Sequence, residues 1–132
     1  SSISNPKLIS YLSSIAIKSL EERAFNTTLT EKIENLMSNY ENHYNNISIQ
    51  EISNQLGISV NTLRNHLSRD KTTFRKVFNN YKLNKSKNML KEDLSVKVVS
   101  YKLGYSDPSS FIRWFIGQTQ LTPTSYKIGL KT

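Results

Sequence analysis

The chain has 132 residues, 36% of them hydrophobic and 21% charged, with four Gly, three Pro and no Cys. That composition suits one ordinary domain or two small ones and excludes disulfides, thiolate metal sites and cysteine nucleophiles; no apolar run reaches the roughly 18 residues of a membrane span. The formal charge of +8 is unevenly placed, with four cations against six anions up to Leu63 and fourteen against four from Arg64 onward, a skew that favours a polyanionic partner, nucleic acid before membrane.

In chain order, Pro6 is expected in the first turn of a helix running to about Arg23, with Leu8, Leu12, Ile15 and Leu20 near one face. Asn26, Thr27 and Thr28 are expected to interrupt it. Thr28-Leu29-Thr30-Glu31 then fits a capping box for a second helix carrying Ile33, Leu36, Met37 and Tyr40, which fades over Glu41 to Asn46. Ser48-Ile49-Gln50-Glu51 fits another capping box. No alternating apolar and polar stretch reads as a strand, so the predicted class is all-α. Ser at position 1 reads as a processed or excised chain, with Ser1 and Ser2 as a cloning remnant.

An internal repeat organises the remainder. Residues 48–59 align without a gap on residues 95–106, with Ser48/Ser95, Ser53/Ser100, Leu56/Leu103, Gly57/Gly104 and Ser59/Ser106 identical. Each copy has the grammar of a helix-turn-helix. Ile49, Ile52 and Leu56, or Val96, Val99 and Leu103, face inward, and the Gly enters a left-handed turn. Ile58 or Tyr105 plugs the corner, and Ser59, or Asp107 followed by Pro108, opens the next helix. Ser53 and Ser100 occupy the close-contact position between helices. A merely structural helical hairpin shares much of this pattern; the duplication and the basic skew favour DNA.

The outward face follows by subtraction. With Leu63 and Leu67 buried, Asn61, Arg64 and Asn65 share the opposite stripe; with Phe111 and Phe115 buried, Ser109, Ile112 and Arg113 do. Arg pairs with guanine N7 and O6, Asn with adenine N7 and N6, and an apolar side chain meets the thymine methyl. Between the copies, about residues 74–91, Phe74, Val77, Phe78, Tyr81, Ser86, Met89 and Leu90 keep helical spacing. From Arg64 to Lys91 nine cations stand against Asp70 alone. Lys85 and Lys87, with the hydroxyls of Ser59, Thr62 and Ser110, are the candidate phosphate contacts.

The second half, Leu103-Gly104-Tyr105-Ser106-Asp107-Pro108-Ser109-Ser110-Phe111-Ile112-Arg113-Trp114-Phe115 and then Leu121-Thr122-Pro123-Thr124-Ser125-Tyr126-Lys127, resembles the signature of the AraC/XylS transcription regulators. Tyr81-Lys82-Leu83-Asn84-Lys85-Ser86 is similar to the family's linker-helix motif, and Thr72-Thr73-Phe74 to a motif of a branch of virulence and stress activators. The resemblance covers about Leu29 to Lys127. It implies two helix-turn-helix subdomains, about 48–68 and 95–117, joined by the linker helix, reading adjacent major grooves with the six outward residues named above. Residues 29–132 would form the DNA-binding domain, and residues 1–28 a helical tail or link to a missing effector-binding or dimerisation domain. The implied protein is a bacterial, cytoplasmic, nucleoid-associated regulator, an activator that contacts RNA polymerase. Ser53 and Ser100 stand where the family usually has Ala, Gln120 where it often has Gly, and Ile116 where Lys is usual.

No enzyme, metal or cofactor chemistry is expected. His43 and His66 lack a metal-spaced partner, and Glu21-Glu22 and Glu92-Asp93 point apart on helices. No Gly-rich phosphate loop or nucleophile elbow is present. The alternative function is a helical interaction module acting on another transcription factor or on RNA polymerase.

Overall fold

The computed structural model describes residues 6–130, with the side chains of residues 18–28 excepted. Among the described residues there is no strand, and no helix is long and apolar enough to cross a membrane. Contacts divide the chain into two compact units, Ser1–Ile33 and Glu34–Thr132.

The first unit consists of most of α1 (Pro6–Ser38), a helix of 33 residues. The expected break at Asn26 to Thr28 does not occur, and the backbone is helical throughout. Asn and Thr are only weak helix formers, each costing under about 0.7 kcal/mol against Ala. Neither Gly nor Pro falls between Lys7 and Ser38, and propagation adds one hydrogen bond per residue fixed. Thr28 is therefore mid-helix rather than a cap; its hydroxyl, like the Leu20 side chain, lies outside the described residues. Leu8, Leu12 and Ile15 are about half exposed, so the expected inward face is open to solvent.

The second unit starts with the last turn of α1. A short 3-10 turn, Tyr44–Asn46, follows in the stretch expected to fade, held by buried Tyr44 and Ile47. The Ser48 hydroxyl then caps α2 (Ile49–Leu56), accepting from the Glu51 N–H at 3.1 Å. Gly57 turns the chain at φ 72°, and Ser59 caps α3 (Val60–Arg69). The long α4 (Phe74–Lys91) opens at the Thr73 cap. The pattern then repeats: Ser95 caps α5 (Val96–Lys102), Gly104 turns at φ 90°, and Asp107 caps α6 (Pro108–Thr119) with Pro108 in its first turn. Helix α7 (Pro123–Leu130) closes the described chain.

Packing follows the duplication. Helix α2 lies on α3 and α5 on α6, while α4 packs chiefly on α5 and α7. Ile52, Leu63 and Leu67 fill one core, and Val99, Leu103, Phe111 and Phe115 the other, all fully or almost fully buried. Each such side chain contributes about 1.5–3 kcal/mol relative to leaving it exposed. Ile49, Leu56 and Val96 reach only half burial, at the edges of their helices. Ser53 and Ser100 are buried at the helix crossings and return their hydroxyl protons to the Ile49 and Lys97 carbonyls. A hydroxyl satisfied this way lets Ser stand where a small apolar residue would also fit.

Candidate nucleic-acid interface

In α3, burial of Leu63 and Leu67 leaves Asn61, Arg64 and Asn65 exposed. In α6, Phe111 and Phe115 are buried while Ser109 and Arg113 are exposed. Ile112 is half-buried rather than fully outward. At about 100° per residue it stands beside Phe111, on the border between the buried and wet faces. The outward stripes of the two helices correspond position by position: Asn61 to Ser109, Arg64 to Ile112, Asn65 to Arg113.

The helix starts are organised by their own hydroxyls. The Ser59 hydroxyl accepts from the Thr62 N–H at 3.1 Å and shares a 2.8 Å hydrogen bond with the Thr62 hydroxyl. Ser110 donates its N–H to one Asp107 oxygen at 2.9 Å and its hydroxyl to the other at 3.2 Å. The backbone hydrogen bond from Ser110 holds the Asp107 carboxyl below the usual carboxylate range. Arg113 in turn donates to the Ser110 hydroxyl at 3.4 Å. The result is a chain from cap to guanidinium that aims Arg113 along the start of α6. The anionic Asp107 beside Ser110 also makes that hydroxyl a poorer phosphate contact than Ser59 or Thr62.

Lys85 and Lys87, two residues apart on α4, leave the helix about 200° apart. The Lys85 ammonium lies over the Tyr81 ring at 5.7 Å and that of Lys87 over the Tyr126 ring at 5.8 Å. A groove of about 490 Å³ adjoins the α3 stripe, lined by Gln50, Asn54, Ser59, Asn61 and Arg64 among others, so α2 adds two amides to the face that sequence reading assigned to α3 alone.

Two features escaped the sequence reading. Lys82, one cation among nine in its stretch, is drawn inward. Its ammonium stands 5.0, 5.1 and 4.6 Å from the ring centroids of Phe78, Tyr105 and Trp114 and donates to the Tyr105 hydroxyl at 3.0 Å. Burial, and secondarily Arg75, lower its pKa. The second feature is Asn45, whose amide donates to the Gly104 carbonyl, 59 residues away. The only sequence signal for Lys82 was its place in the linker-helix motif; for Asn45 there was none. Among the described residues no group of acidic, His or Cys side chains could hold a metal ion.

A family profile describing a helix-turn-helix domain matches residues 52–128. No curated protein sequence matches the chain. Solved structures do. A DNA-binding transcriptional dual regulator of Escherichia coli K-12 shares 21% identity and a TM-score of 0.66, over 74% of this chain and 87% of that one. A regulator from Chromobacterium violaceum, described as containing an AraC-type DNA-binding domain, gives 18% identity and a TM-score of 0.68, over 80% and 94%. The transcriptional regulator CdpR of Pseudomonas aeruginosa gives 30% identity and a TM-score of 0.56, over 61% of this chain and 26% of its own.

Proposed function

The chain belongs to the AraC/XylS family of DNA-binding transcription regulators, and from that premise we propose that it seats α3 and α6 in adjacent major grooves of one duplex. The family and fold are those of regulators rather than enzymes. The observation that carries the reading is the pair of capped, outward-facing helices hung on a single rod. The 18 residues of α4 span about 27 Å at 1.5 Å each, about 7 Å short of the roughly 34 Å between successive major grooves on one side of B-DNA, a difference that the widths of the flanking helices make up. Asn61, Arg64 and Asn65 read one groove; Ser109, Ile112 and Arg113 read the next. Ser59, Thr62, Lys85 and Lys87 meet phosphates, and Ser110 serves chiefly to link the Asp107 cap to Arg113.

We assign residues 29–132 to the DNA-binding domain and residues 1–28 to a helical connection toward an effector-binding or dimerisation domain. The likeness of Thr72-Thr73-Phe74 to a branch of virulence and stress activators supports an activating role through RNA polymerase, in the cytoplasm and nucleoid of a bacterium. A reporter behind a selected site, transcribed more strongly with the chain than without it, supports activation; weaker transcription rejects it.

Selection of bound duplexes from a random pool tests the two-groove reading. The selected site should be contiguous, non-palindromic and about two helical turns long. Arg64→Ala and Arg113→Ala should each relax selectivity at a separate cluster of base pairs, at a cost of about 1–3 kcal/mol on the best site. Equal losses on selected and random DNA would remove both residues from the reading face.

A further inference from the structure

Three pairs of neighbouring residues, from three separate elements, close a triangle within the second unit. Tyr44-Asn45 comes from the 3-10 turn before α2, Tyr81-Lys82 from α4, and Gly104-Tyr105 from the turn of the second helix-turn-helix. Tyr44 meets Tyr81 edge to face at a centroid distance of 5.9 Å. Lys82 donates to the Tyr105 hydroxyl at 3.0 Å. Asn45 donates to the Gly104 carbonyl at 2.5 Å. Each pair thus touches the other two.

The duplication supplies an internal control. Gly57 and Gly104 hold the same place in the two copies and share a positive φ. Around a methyl placed at Gly57 there is nothing within 4 Å, whereas at Gly104 the Asn45 amide lies at 3.2–3.5 Å. Only the second turn receives a visitor, and the visitor comes from the segment that leads into the first reading unit. The side of the triangle through Asn45 bypasses α4 altogether.

We infer that Asn45 is a positioning residue that locks the two reading units in register and so sets the spacing between half-sites that the chain accepts; this rests on the two-groove reading. A single helical rod resists stretching, but the unit at each end can rock about its own packing contacts. Adding one base pair between half-sites moves the second groove by about 3.4 Å and rotates it by about 35°. Rejecting that change requires the rocking to be stopped. A direct contact between the units stops it, because a closed triangle has no free hinge, whereas two sides alone leave one.

The test uses Asn45→Ala in the full chain. Asn45 is exposed, so its removal leaves the cores intact. Binding is measured to a selected site and to versions with one base pair added or removed between the half-sites. The parent chain should prefer its own spacing by about tenfold or more, and Asn45→Ala should reduce that preference to about threefold or less with base preferences inside each half-site unchanged. A second measurement needs no DNA. The chain has no cysteine, so spin labels at Ser68→Cys on α3 and Gln118→Cys on α6 report the distance between the units. Asn45→Ala should broaden that distance distribution. An unbroadened distribution, an unchanged spacing preference, or an equal loss at every spacing overturns the inference. A parent chain indifferent to spacing overturns the two-groove reading instead, while the label distances still decide whether Asn45 locks the units.

Discussion

The Lys82 ammonium stands 4.6 Å from the centroid of Trp114, with the Phe78 and Tyr105 rings on its other sides. Trp114 also donates its indole N–H to Asn79 of α4 at 3.3 Å, so α4 and α6 are joined by a cation–π contact and a hydrogen bond at one ring. A partly desolvated cation over Trp is worth about 1–2 kcal/mol. Lys82→Met keeps the stem and removes the charge, and should destabilise the chain by about that amount. Lys82→Arg should keep most of the stability, because a guanidinium stacks on aromatic faces as readily. The single Trp of the chain makes its fluorescence a direct readout of urea unfolding. Equal losses for Met and Arg would show that the ammonium is positioned there without contributing.

Tyr81 presents the opposite case. Its ring packs against Tyr44, yet its buried hydroxyl makes no well-formed hydrogen bond. A buried polar group left unsatisfied costs about 1–3 kcal/mol. Tyr81→Phe keeps the ring and removes the cost, and should stabilise the chain by about 0.5–1 kcal/mol, read as a higher urea midpoint at unchanged slope. A loss of stability on this change would mean that the hydroxyl is satisfied in solution, by the neighbouring Tyr44 hydroxyl or by water.

The contrast between these sites and the helix caps marks what was legible in the sequence. Ser48, Ser59 and Asp107-Pro108 were readable because a cap is local: donor and acceptor lie within three residues. The turns at Gly57 and Gly104 were readable for the same reason, and the repeat doubled the signal. Ile112 fell on the border of its face because a three-residue stripe on a helix resolves only inside from outside. The run Asn26-Thr27-Thr28 looked like a break because each residue is a weak helix former, but a cooperative helix averages over its length. Lys82 and Asn45 stayed hidden for a different reason. The three rings around Lys82 come from α4, from a turn and from α6, and the partner of Asn45 lies 59 residues away. Helical spacing reaches only Phe78, four residues before Lys82 on α4; it carries no trace of the other contacts.

Three positions in the left-handed region give a graded prediction. Gln120 ends α6 at φ 64°, where a side chain is strained and Gly is not. Gln120→Gly should therefore stabilise the chain by about 0.5–1 kcal/mol. Gly57→Ala should cost about 1 kcal/mol through φ alone, since the methyl enters open space. Gly104→Ala carries the same strain and also presses on the Asn45 amide, so it should cost more than Gly57→Ala. Chemical denaturation of the three variants orders them; equal costs at the two glycines would mean that Asn45 moves aside freely.

The alkaline limit of stability should be set partly at the Lys82–Tyr105 contact. Burial pushes the Tyr105 hydroxyl up from an ordinary value of 10.0 to about 12. Between those values the folded chain holds a proton that the unfolded chain has lost, so stability is fully present below pH 10 and falls as pH rises through 12. Tyr81, raised by burial above all, acts in the same direction. Lys82 acts the other way: its pKa is lowered from 10.5, so the unfolded chain binds the extra proton just below that value and stability rises with pH there. Tyr105→Phe removes the acceptor for the Lys82 hydrogen bond and should cost about 0.5–1.5 kcal/mol at neutral pH. Its stability should nonetheless fall less steeply than that of the parent between pH 10 and 11.5. Urea unfolding at pH 8, 10 and 11.5 separates the intercept from the slope. Parallel curves for parent and variant would show that Tyr105 ionises in the folded chain as it does in water, and would remove the hydroxyl from the account of alkaline unfolding.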